Sequence, residues 1–233
     1  MKKERLLLKF SGGALSSESE VFSESKLLDL ASQVRELSED YEIGIVVGGG
    51  NIWRGKDGRI SFMTAPERDY MGMISTVLNG FVLQKALRAK GVESRLFSAT
   101  GVERVTEDYN LFQINKALES GQVVIFSGGV GEPQFSTDSG CAIRAIEIGA
   151  TRVLIGKEGV EGIYNKDPNV HSNAVFYDKI TYDRLIAEDI RILDQSSLSL
   201  CRDNKLHLLI FSQEVENAFI KALKGGIKMS EVV

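Results

Sequence analysis

LLLKFSGG (residues 6–13) is the stretch that decides the fold: four apolar residues surround one lysine, and a glycine turn follows at once. A short apolar run bounded by turn residues predicts a strand that is buried on both faces. The pattern recurs at IGIVVGGGN (residues 43–51) and at VVIFSGGVG (residues 123–131). Buried strands that each end in glycines predict a parallel sheet with ligand-binding turns along one edge.

The segments between these strands have helical periodicity. Apolar residues from Leu27 to Leu37 recur at helical spacing, and Ser23 or Ser25 is a plausible N-cap before them. We predict further helices at 70–89, 110–120, 139–148 and 215–223, a helix opened by Asp194, and strands at 95–98, 152–155 and 208–211. Strands alternating with helices predict an α/β fold, a three-layer α/β/α sandwich around a mostly parallel central sheet. No flexible linker interrupts the 233 residues, so we expect a single domain with lobes of about 1–150 and about 151–233.

The composition argues against several classes of protein. The net charge of −4 argues against tracking of nucleic-acid phosphates, because such domains are usually basic. Cys141 and Cys201 form no CxxC pair, and the two histidines lack metal-ligand spacing, so neither a disulfide framework nor a zinc site is indicated. The apolar run after the basic start is too short for a signal peptide or a membrane span. We therefore expect a cytoplasmic protein with neither a nucleic-acid nor a membrane partner.

The glycine turns are suited to phosphate. Glycine tolerates positive φ and lets the backbone approach a ligand, so successive N–H groups can point at phosphate oxygens. One such turn is as consistent with tight packing as with binding, but three at the ends of strands favour phosphate. The chain has no GxxxxGK[ST] motif, and no GxGxxG opens a helix after the first strand. Neither a P-loop kinase nor a dinucleotide dehydrogenase is therefore indicated.

Three charged residues lie where a phosphate site would need them. Lys9 interrupts an apolar strand, which is unusual unless its ammonium reaches an anion or a carboxylate; the alternative is an edge-strand lysine facing solvent. Arg54 follows the triple glycine, and its planar fork suits a phosphate, with an ordinary surface arginine as the alternative. Asp138 either caps the next helix or has a role at the phosphates, where it would orient the lysine or help to hold Mg²⁺, and we favour a role at the phosphates.

Together these segments resemble the amino-acid-kinase family and, within it, the bacterial uridylate kinases. The resemblance runs from Leu6 to Phe211 and rests on LLLKFSGGAL (6–15), VVGGGNIWRG (46–55), DYMGM (69–73), LNG (78–80), FSTDSG (135–140), GIYNKDP (162–168) and LD (193–194). It implies an amino-acid-kinase-like fold and an enzyme of pyrimidine nucleotide biosynthesis that transfers the γ-phosphate of ATP to UMP with Mg²⁺. It also implies a homo-oligomer, a hexamer in these relatives, with regulation by GTP and UTP. A subunit interface would explain part of the wide apolar stretch of the helix predicted at 70–89.

The same resemblance implies roles for individual residues. Those implied in catalysis are Lys9, Arg54, Asp138 and Asp194. Those implied in ATP binding are Lys9, Phe10, Ser11, Gly12, Gly50, Arg54, Tyr164 and Asp167, the last two at the adenosine end. Those implied in UMP binding are Gly49, Asp69, Val130, Gly131, Glu132, Pro133, Gln134, Phe135, Ser136 and Thr137. The lobe 1–150 would bind UMP and the lobe 151–233 ATP. No fixed protein cage for Mg²⁺ is expected, because the phosphates would hold the ion with Asp138 or Asp194 close by.

Three positions depart from the pattern of these relatives. Many relatives carry Glu where this chain has Gly13, Asn where it has Glu132, and Thr or Asn where it has Glu158. The purine contact at residue 158 is therefore left unassigned. Two alternatives to UMP phosphorylation stay open: a phosphotransferase of the same family that acts on a carboxylate or carbamate, and a nucleotide-binding protein without catalysis.

Overall fold

The computed structural model describes residues 3–54 and 60–233. The first part of the fold consists of β1 (Glu4–Phe10), a short 3-10 helix (Gly12–Leu15), α1 (Glu24–Asp40), β2 (Tyr41–Val47), α2 (Ala65–Ala89), β3 (Ser94–Ser98), β4 (Glu107–Asp108), α3 (Leu111–Glu119), β5 (Val123–Ser127), α4 (Thr137–Ile148) and β6 (Arg152–Lys157). The second part consists of β7 (Ile163–Tyr164), β8 (Phe176–Tyr177), β9 (Lys179–Ile180), α5 (Tyr182–Ala187), α6 (Gln195–Asp203), β10 (His207–Ser212), α7 (Ala218–Lys224) and β11 (Met229–Val232).

One large sheet runs through the molecule in the order β4-β3-β5-β2-β1-β6-β10-β11-β9. Its neighbouring strands are parallel except for β10 and β11, which are antiparallel. A separate antiparallel pair is formed by β7 and β8. The mostly parallel central sheet confirms the predicted α/β class.

The side chains of β1 alternate between two apolar cores on opposite faces of this sheet. Leu6, Leu8 and Phe10 join the core formed with α1, α2 and α7, whereas Leu7 joins the core formed with α3, α4 and α6. Successive strand residues point to opposite faces, so Lys9 shares the face of Leu7 and is directed towards the α4 layer. Each fully buried leucine contributes about 1.5–3 kcal/mol to stability. The two helical layers confirm the three-layer sandwich.

Helix α2 begins at Ala65, before the start that apolar spacing predicted at residue 70. The Thr64 amide donates to the Glu67 carboxylate at 2.7 Å, and Pro66 lies in the first turn. This is a capping box with proline at a favoured position. The residues that start the helix are polar and precede the apolar run, so apolar periodicity does not detect them.

The remaining differences from the sequence prediction are short elements. The strands β4, β7, β8 and β9 have two residues each, and α5 has six, which is too few for a periodic pattern. Cys141 and Cys201 are buried free thiols in α4 and α6. Among residues 3–54 and 60–233, no helix combines the length and apolar character needed to cross a membrane.

Candidate active site

Three glycine turns meet at one edge of the sheet. Strands β5, β2 and β1 are adjacent and parallel, so their carboxyl ends lie side by side, as the sequence predicted. The Gly48 amide donates to Phe10 O at 2.9 Å and joins the first turn to the second. A Cβ built on Gly12 would lie 2.6 Å from the Asn51 backbone nitrogen, so only glycine lets these turns pack this closely.

Helix α2 holds the second and third turns in place. Asn79 is fully buried, and its Nδ2 donates to Gly48 O at 2.6 Å and to Asn51 Oδ1 at 2.7 Å. One helical turn earlier, Thr76 Oγ1 accepts from the Gly128 amide at 2.8 Å. Residues three apart share a helix face, so one face of α2 fixes the relation between the two turns.

Asn79→Ala should lower the free energy of unfolding by about 1–3 kcal/mol, because Gly48 O would lose its buried donor. Urea denaturation followed by circular dichroism measures this change. Asn204→Ala is the matched control: Asn204 is exposed, and its Nδ2 also donates to a backbone carbonyl, Leu200 O, at 2.9 Å. The control should stay within about 0.5 kcal/mol of the unsubstituted protein. Equal stability of the two variants would contradict the role of Asn79.

A buried cluster of two lysines and one aspartate lies at the same end of the sheet as the glycine turns. Lys9 is 8% exposed, and its Nζ donates to Asp138 Oδ1 at 2.5 Å. Lys157 Nζ donates to Asp138 Oδ2 at 3.4 Å and to Ile192 O at 2.7 Å. Because β1 lies between β2 and β6, the alternative that Lys9 is an edge lysine facing solvent is wrong. Two positive charges and one negative charge leave the cluster with a net charge of +1.

Lys157 is a member of this cluster that the sequence analysis did not single out. Lys157 is the last residue of the apolar strand β6. Like Lys9, it is a lysine in an apolar strand, and this similarity could have indicated its role. Burial, followed by the charge of Lys9, lowers the pKa of Lys157. Burial alone would raise the pKa of Asp138, but the charges of Lys9 and Lys157 outweigh it and lower that pKa below the ordinary 3.8. Asp138 is therefore ionised at neutral pH and shared between the lysines.

Ser136, rather than Asp138, caps helix α4. Its Oγ accepts from the Asp138 amide at 3.0 Å and from the Ser139 amide at 3.1 Å. The interpretation of Asp138 as the cap is therefore wrong, and its carboxylate is left for the lysines. Thr137 and Asp138 lie in the first turn of α4, where unpaired N–H groups and the helix dipole favour an anion.

Asp194 connects the N-terminus of α6 to that of α4. Its carboxylate caps α6 by accepting from the Ser197 amide at 2.7 Å. It also accepts from the hydroxyls of Ser136, Ser139, Ser196 and Ser197. Burial acts to raise the pKa of Asp194, but hydrogen bonds, first from Ser136, lower it well below 3.8. The carboxylate is therefore ionised, and its hydrogen bonds connect the first turns of α4 and α6.

The oxygens of both carboxylates already accept hydrogen bonds in this arrangement. Both oxygens of Asp138 contact lysines, and those of Asp194 accept from hydroxyls and an amide. Within the described ranges, no group of three or more His, Cys, Asp or Glu side chains is arranged to hold a metal ion. A position of Mg²⁺ beside Asp138 or Asp194 stays a prediction.

A cavity of about 680 Å³ opens beside the second and third turns. This volume lies within the range of small-molecule sites, roughly 300–1,000 Å³. The residues implied in UMP binding that line it are Gly49, Asp69, Glu132, Gln134, Phe135, Ser136 and Thr137, and Gly50 and Arg54 line it as well. Val130, Gly131 and Pro133, from the same loop, do not line it. Lys9, Asp138 and Asp194 do not line it either.

The cavity is closed on one side by a contact between α2 and the loop after β5. Asp69 Oδ2 accepts from the Gln134 amide at 2.9 Å. Three residues that were not predicted to bind a ligand also line the cavity: Met73, Phe126 and Arg144. Their apolar or helical surroundings gave no sign that they face a ligand site.

Ser11, in the first turn, is held by two side chains from distant parts of the chain. Gln213 Oε1 accepts from the Ser11 amide at 3.2 Å, and its Nε2 donates to Ser11 Oγ at 2.5 Å. Ser11 Oγ donates to Glu158, whose carboxylate also lies 4.0 Å from Arg54 Nη2. A Cβ built on Gly13 would lie 1.9 Å from Glu158 Oε1. In this arrangement the Glu158 carboxylate occupies the space that a side chain at residue 13 would take.

The other residues implied in ATP binding are more widely spread. The ring of Phe10 packs edge-on against Phe219 in the core, with centroids 4.7 Å apart, so only its backbone is available to a ligand. Tyr164 lies in β7, and its hydroxyl donates to Glu161 at 2.7 Å. The Asp167 carboxylate accepts from the Asn169 amide at 2.9 Å. Neither Tyr164 nor Asp167 lines the 680 Å³ cavity, and their contact with adenosine stays a prediction.

Comparison with known proteins decides the family. The model of the amino acid kinase family matches residues 4–212. The chain belongs to the amino acid kinase family. A uridylate kinase of Mesoplasma florum is 41% identical to it over 97% of this chain and 96% of the relative. A uridylate kinase of Ureaplasma parvum is 38% identical over 100% of this chain and 99% of the relative.

Solved structures of amino acid kinase relatives agree with this assignment. The crystal structure of UMP kinase from Ureaplasma parvum matches with a TM-score of 0.96 and 37% identity, covering 100% of this chain and 99% of that one. The structure of UMP kinase from Bacillus anthracis matches with a TM-score of 0.93 and 30% identity, covering 100% and 96%. The family resemblance found in the sequence is confirmed.

Proposed function

We propose that this chain is an ATP-dependent kinase that phosphorylates UMP to UDP. The observation that carries the proposal is the meeting of the cluster of Lys9, Asp138 and Lys157 with the glycine turns beside a nucleotide-sized cavity. Relatives named uridylate kinase, at 34–41% identity, support UMP as the acceptor rather than a carboxylate or carbamate. They equally support an active enzyme over a nucleotide-binding protein without catalysis.

The reaction asks for alignment and charge neutralisation rather than for a strong base. The phosphate of UMP is already ionised at neutral pH, so it can attack without deprotonation by the protein. The difficulty is to bring two mutually repelling phosphate groups into line. Backbone N–H groups of the turns offset the repulsion, and the ammonium of Lys9 stabilises the charge on the migrating group. Asp138 holds Lys9 and Lys157 in fixed positions for this purpose.

On this proposal the two nucleotides approach from the two lobes. The first turn and Arg54 hold the phosphates of ATP, with Tyr164 and Asp167 at its adenosine end in the lobe of about 151–233. The cavity holds UMP in the lobe of about 1–150, between Asp69 and the loop of residues 130–137. The bond from Gln134 to Asp69 supports this, since it joins the two sides of the cavity.

We propose Mg²⁺ as the metal, carried by the phosphates of ATP. When bound, it neutralises negative charge on the phosphates. The lysine cluster, the turn amides and the start of α4 supply the remaining positive potential from the chain itself.

Steady-state ATP consumption measured against UMP, CMP, dUMP and acetylglutamate in parallel tests the function. We expect turnover with UMP and none above background with acetylglutamate, because the cavity is bordered by groups suited to a nucleotide phosphate. Turnover with acetylglutamate alone would identify a carboxylate kinase instead. Tight ATP binding without turnover on any acceptor would identify a non-catalytic protein.

A homo-oligomer is also proposed. Four apolar residues on the outer face of α2 are 40–49% exposed, and they are Tyr70, Met71, Ile74 and Leu78. A continuous apolar face of this kind supports an interface between subunits. A hexamer, regulation by GTP and UTP, and a role in pyrimidine biosynthesis are proposed from the resemblance to uridylate kinases. A cytoplasmic location follows from the proposed substrates, which are nucleotides of that compartment.

A further inference from the structure

Arg144, in α4, is a buried arginine that the proposed chemistry does not use. Its side chain is almost completely enclosed, since the residue is 5% exposed. Its guanidinium has three partners: Nη1 donates to Glu147 Oε2 at 2.7 Å, Nη2 donates to Gly129 O at 3.0 Å, and Cζ lies 3.9 Å from the centroid of the Tyr109 ring. A buried charge is costly unless it is paired and hydrogen-bonded. These partners offset the charge and hold the guanidinium in one position, although its buried Nε has no hydrogen-bond partner.

The contact with Gly129 lies in the wall of the cavity. Gly129 and Arg144 both line the cavity, and Gly128 and Gly129 have positive φ values of 73° and 60°. On one face of the sheet, Thr76 of α2 accepts from the Gly128 amide. On the other face, Arg144 of α4 donates to the Gly129 carbonyl. The third turn is therefore hydrogen-bonded by both helical layers, at the consecutive residues Gly128 and Gly129.

Tyr109 and Glu147 keep the guanidinium in this position. The Tyr109 hydroxyl donates to Glu147 Oε2, the same oxygen that accepts from Arg144. Burial and this hydrogen bond raise the pKa of Tyr109, so the phenol keeps its proton. The ring supplies a flat surface for the guanidinium, and Glu147 lies one turn along the same helix.

We propose that Arg144 is a positioning residue for the nucleotide bound in the cavity, acting by fixing the Gly129 carbonyl and with it the shape of the cavity wall. This rests on the proposed function, because it takes UMP as the occupant. Lysine has one compact ammonium in place of a planar fork, so it cannot keep all three partners of Arg144. The first turn and the cluster around Asp138 contain none of these partners. The loss should therefore fall on UMP binding and spare ATP.

Arg144→Lys tests the proposal, with Arg152→Lys as the matched control. Arg152 also pairs with a carboxylate, Glu4, at 2.7 Å, and also lies over a tyrosine ring, that of Tyr41, at 5.6 Å. It lies at the amino end of β6, the opposite edge of the sheet. Arg144→Lys should raise the KM for UMP by at least about tenfold, the scale of one lost charged hydrogen bond, with kcat and the KM for ATP within about twofold. Arg152→Lys should leave all three constants within about twofold.

Calorimetric titration with UMP in the absence of ATP separates this inference from the proposed function. If the unsubstituted protein neither binds nor phosphorylates UMP, the proposed function fails. If it does both and Arg144→Lys binds UMP equally well, or loses kcat with the KM unchanged, the positioning role of Arg144 is overturned. Should Arg144→Lys fold poorly, Glu147→Gln replaces it in the test. Glutamine removes the negative charge that pairs with the guanidinium of Arg144. A folded Glu147→Gln protein should show at least about a threefold rise in the KM for UMP, and an unchanged KM would overturn the proposal.

Discussion

Lys9→Ala should lower kcat for UMP phosphorylation by at least about a hundredfold, the scale of losing one preorganised donor. Lys9 is 8% exposed and lies 2.5 Å from Asp138, so little water is available to replace its charge. Its removal takes the cluster from a net charge of +1 to zero, since one lysine and one aspartate remain. The KM for UMP should change less, because Lys9 does not line the cavity. Steady-state kinetics with ATP and UMP measures both constants.

Lys224→Ala is the control for this variant. Lys224 also pairs with a carboxylate, Glu36, at 2.6 Å, but it lies in α7 with its side chain 56% exposed. Exposed pairs contribute little, so turnover should be unchanged in Lys224→Ala. A folded Lys9→Ala protein with near-normal turnover would show that the migrating phosphate does not depend on this ammonium.

The place of Lys9 could be predicted because a buried strand has a simple signature. An apolar run with one lysine favours a partner for the lysine inside the protein, and the order of the strands then excludes a lysine at the edge of the sheet. Glycines after several such runs imply turns that meet, because the carboxyl ends of parallel strands share an edge. Those inferences depend on residues close together in sequence. They predicted that the first turn, Lys9 and the start of α4 belong to the site.

The groups that hold the turns could not be predicted, because their partners are far apart in the chain. Gln213 reaches Ser11 across 202 positions, and Lys157 meets Asp138 only when β6 is placed beside β1. Asn79 lies in the LNG segment that carries the family resemblance, but its partners Gly48 and Asn51 are 31 and 28 positions away in the chain. Residue type alone gave a choice of roles for Asp138, and the geometry decided it: Ser136 takes the cap.

Asp138→Asn should have the second large effect. Asparagine keeps the size of the side chain and removes its charge, so Lys9 and Lys157 would be left buried without a counter-charge. Removing one member of a buried ion pair costs about 3–5 kcal/mol of the free energy of unfolding. The kcat should also fall by at least about a hundredfold, because the lysines would no longer be held in place for the phosphates. Urea denaturation at neutral pH and steady-state kinetics measure the two losses.

The pH dependence of stability should differ between the unsubstituted protein and Asp138→Asn. The lowered pKa of Asp138 contributes stability above its unfolded value of 3.8, and that stability is lost as the pH falls through the folded value. In Asp138→Asn, the pKa of Lys157, already lowered by burial and by Lys9, should fall further. A lysine with a folded pKa below 10.5 binds fewer protons when folded, so stability rises with pH up to that value. The deficit of the variant should therefore shrink as the pH rises towards 10.5.

A double variant separates the charge of the cluster from its role in catalysis. Adding Lys157→Met to Asp138→Asn removes one stranded cation and keeps a side chain of similar length. Apolar replacement of buried charges is often neutral or stabilising, so the double variant should be more stable than Asp138→Asn by at least about 1 kcal/mol. Its turnover should stay low, since the carboxylate that orients Lys9 is still missing. If the double variant gains no stability, and Asp138→Asn has lost none, the two lysines do not depend on Asp138 for their burial.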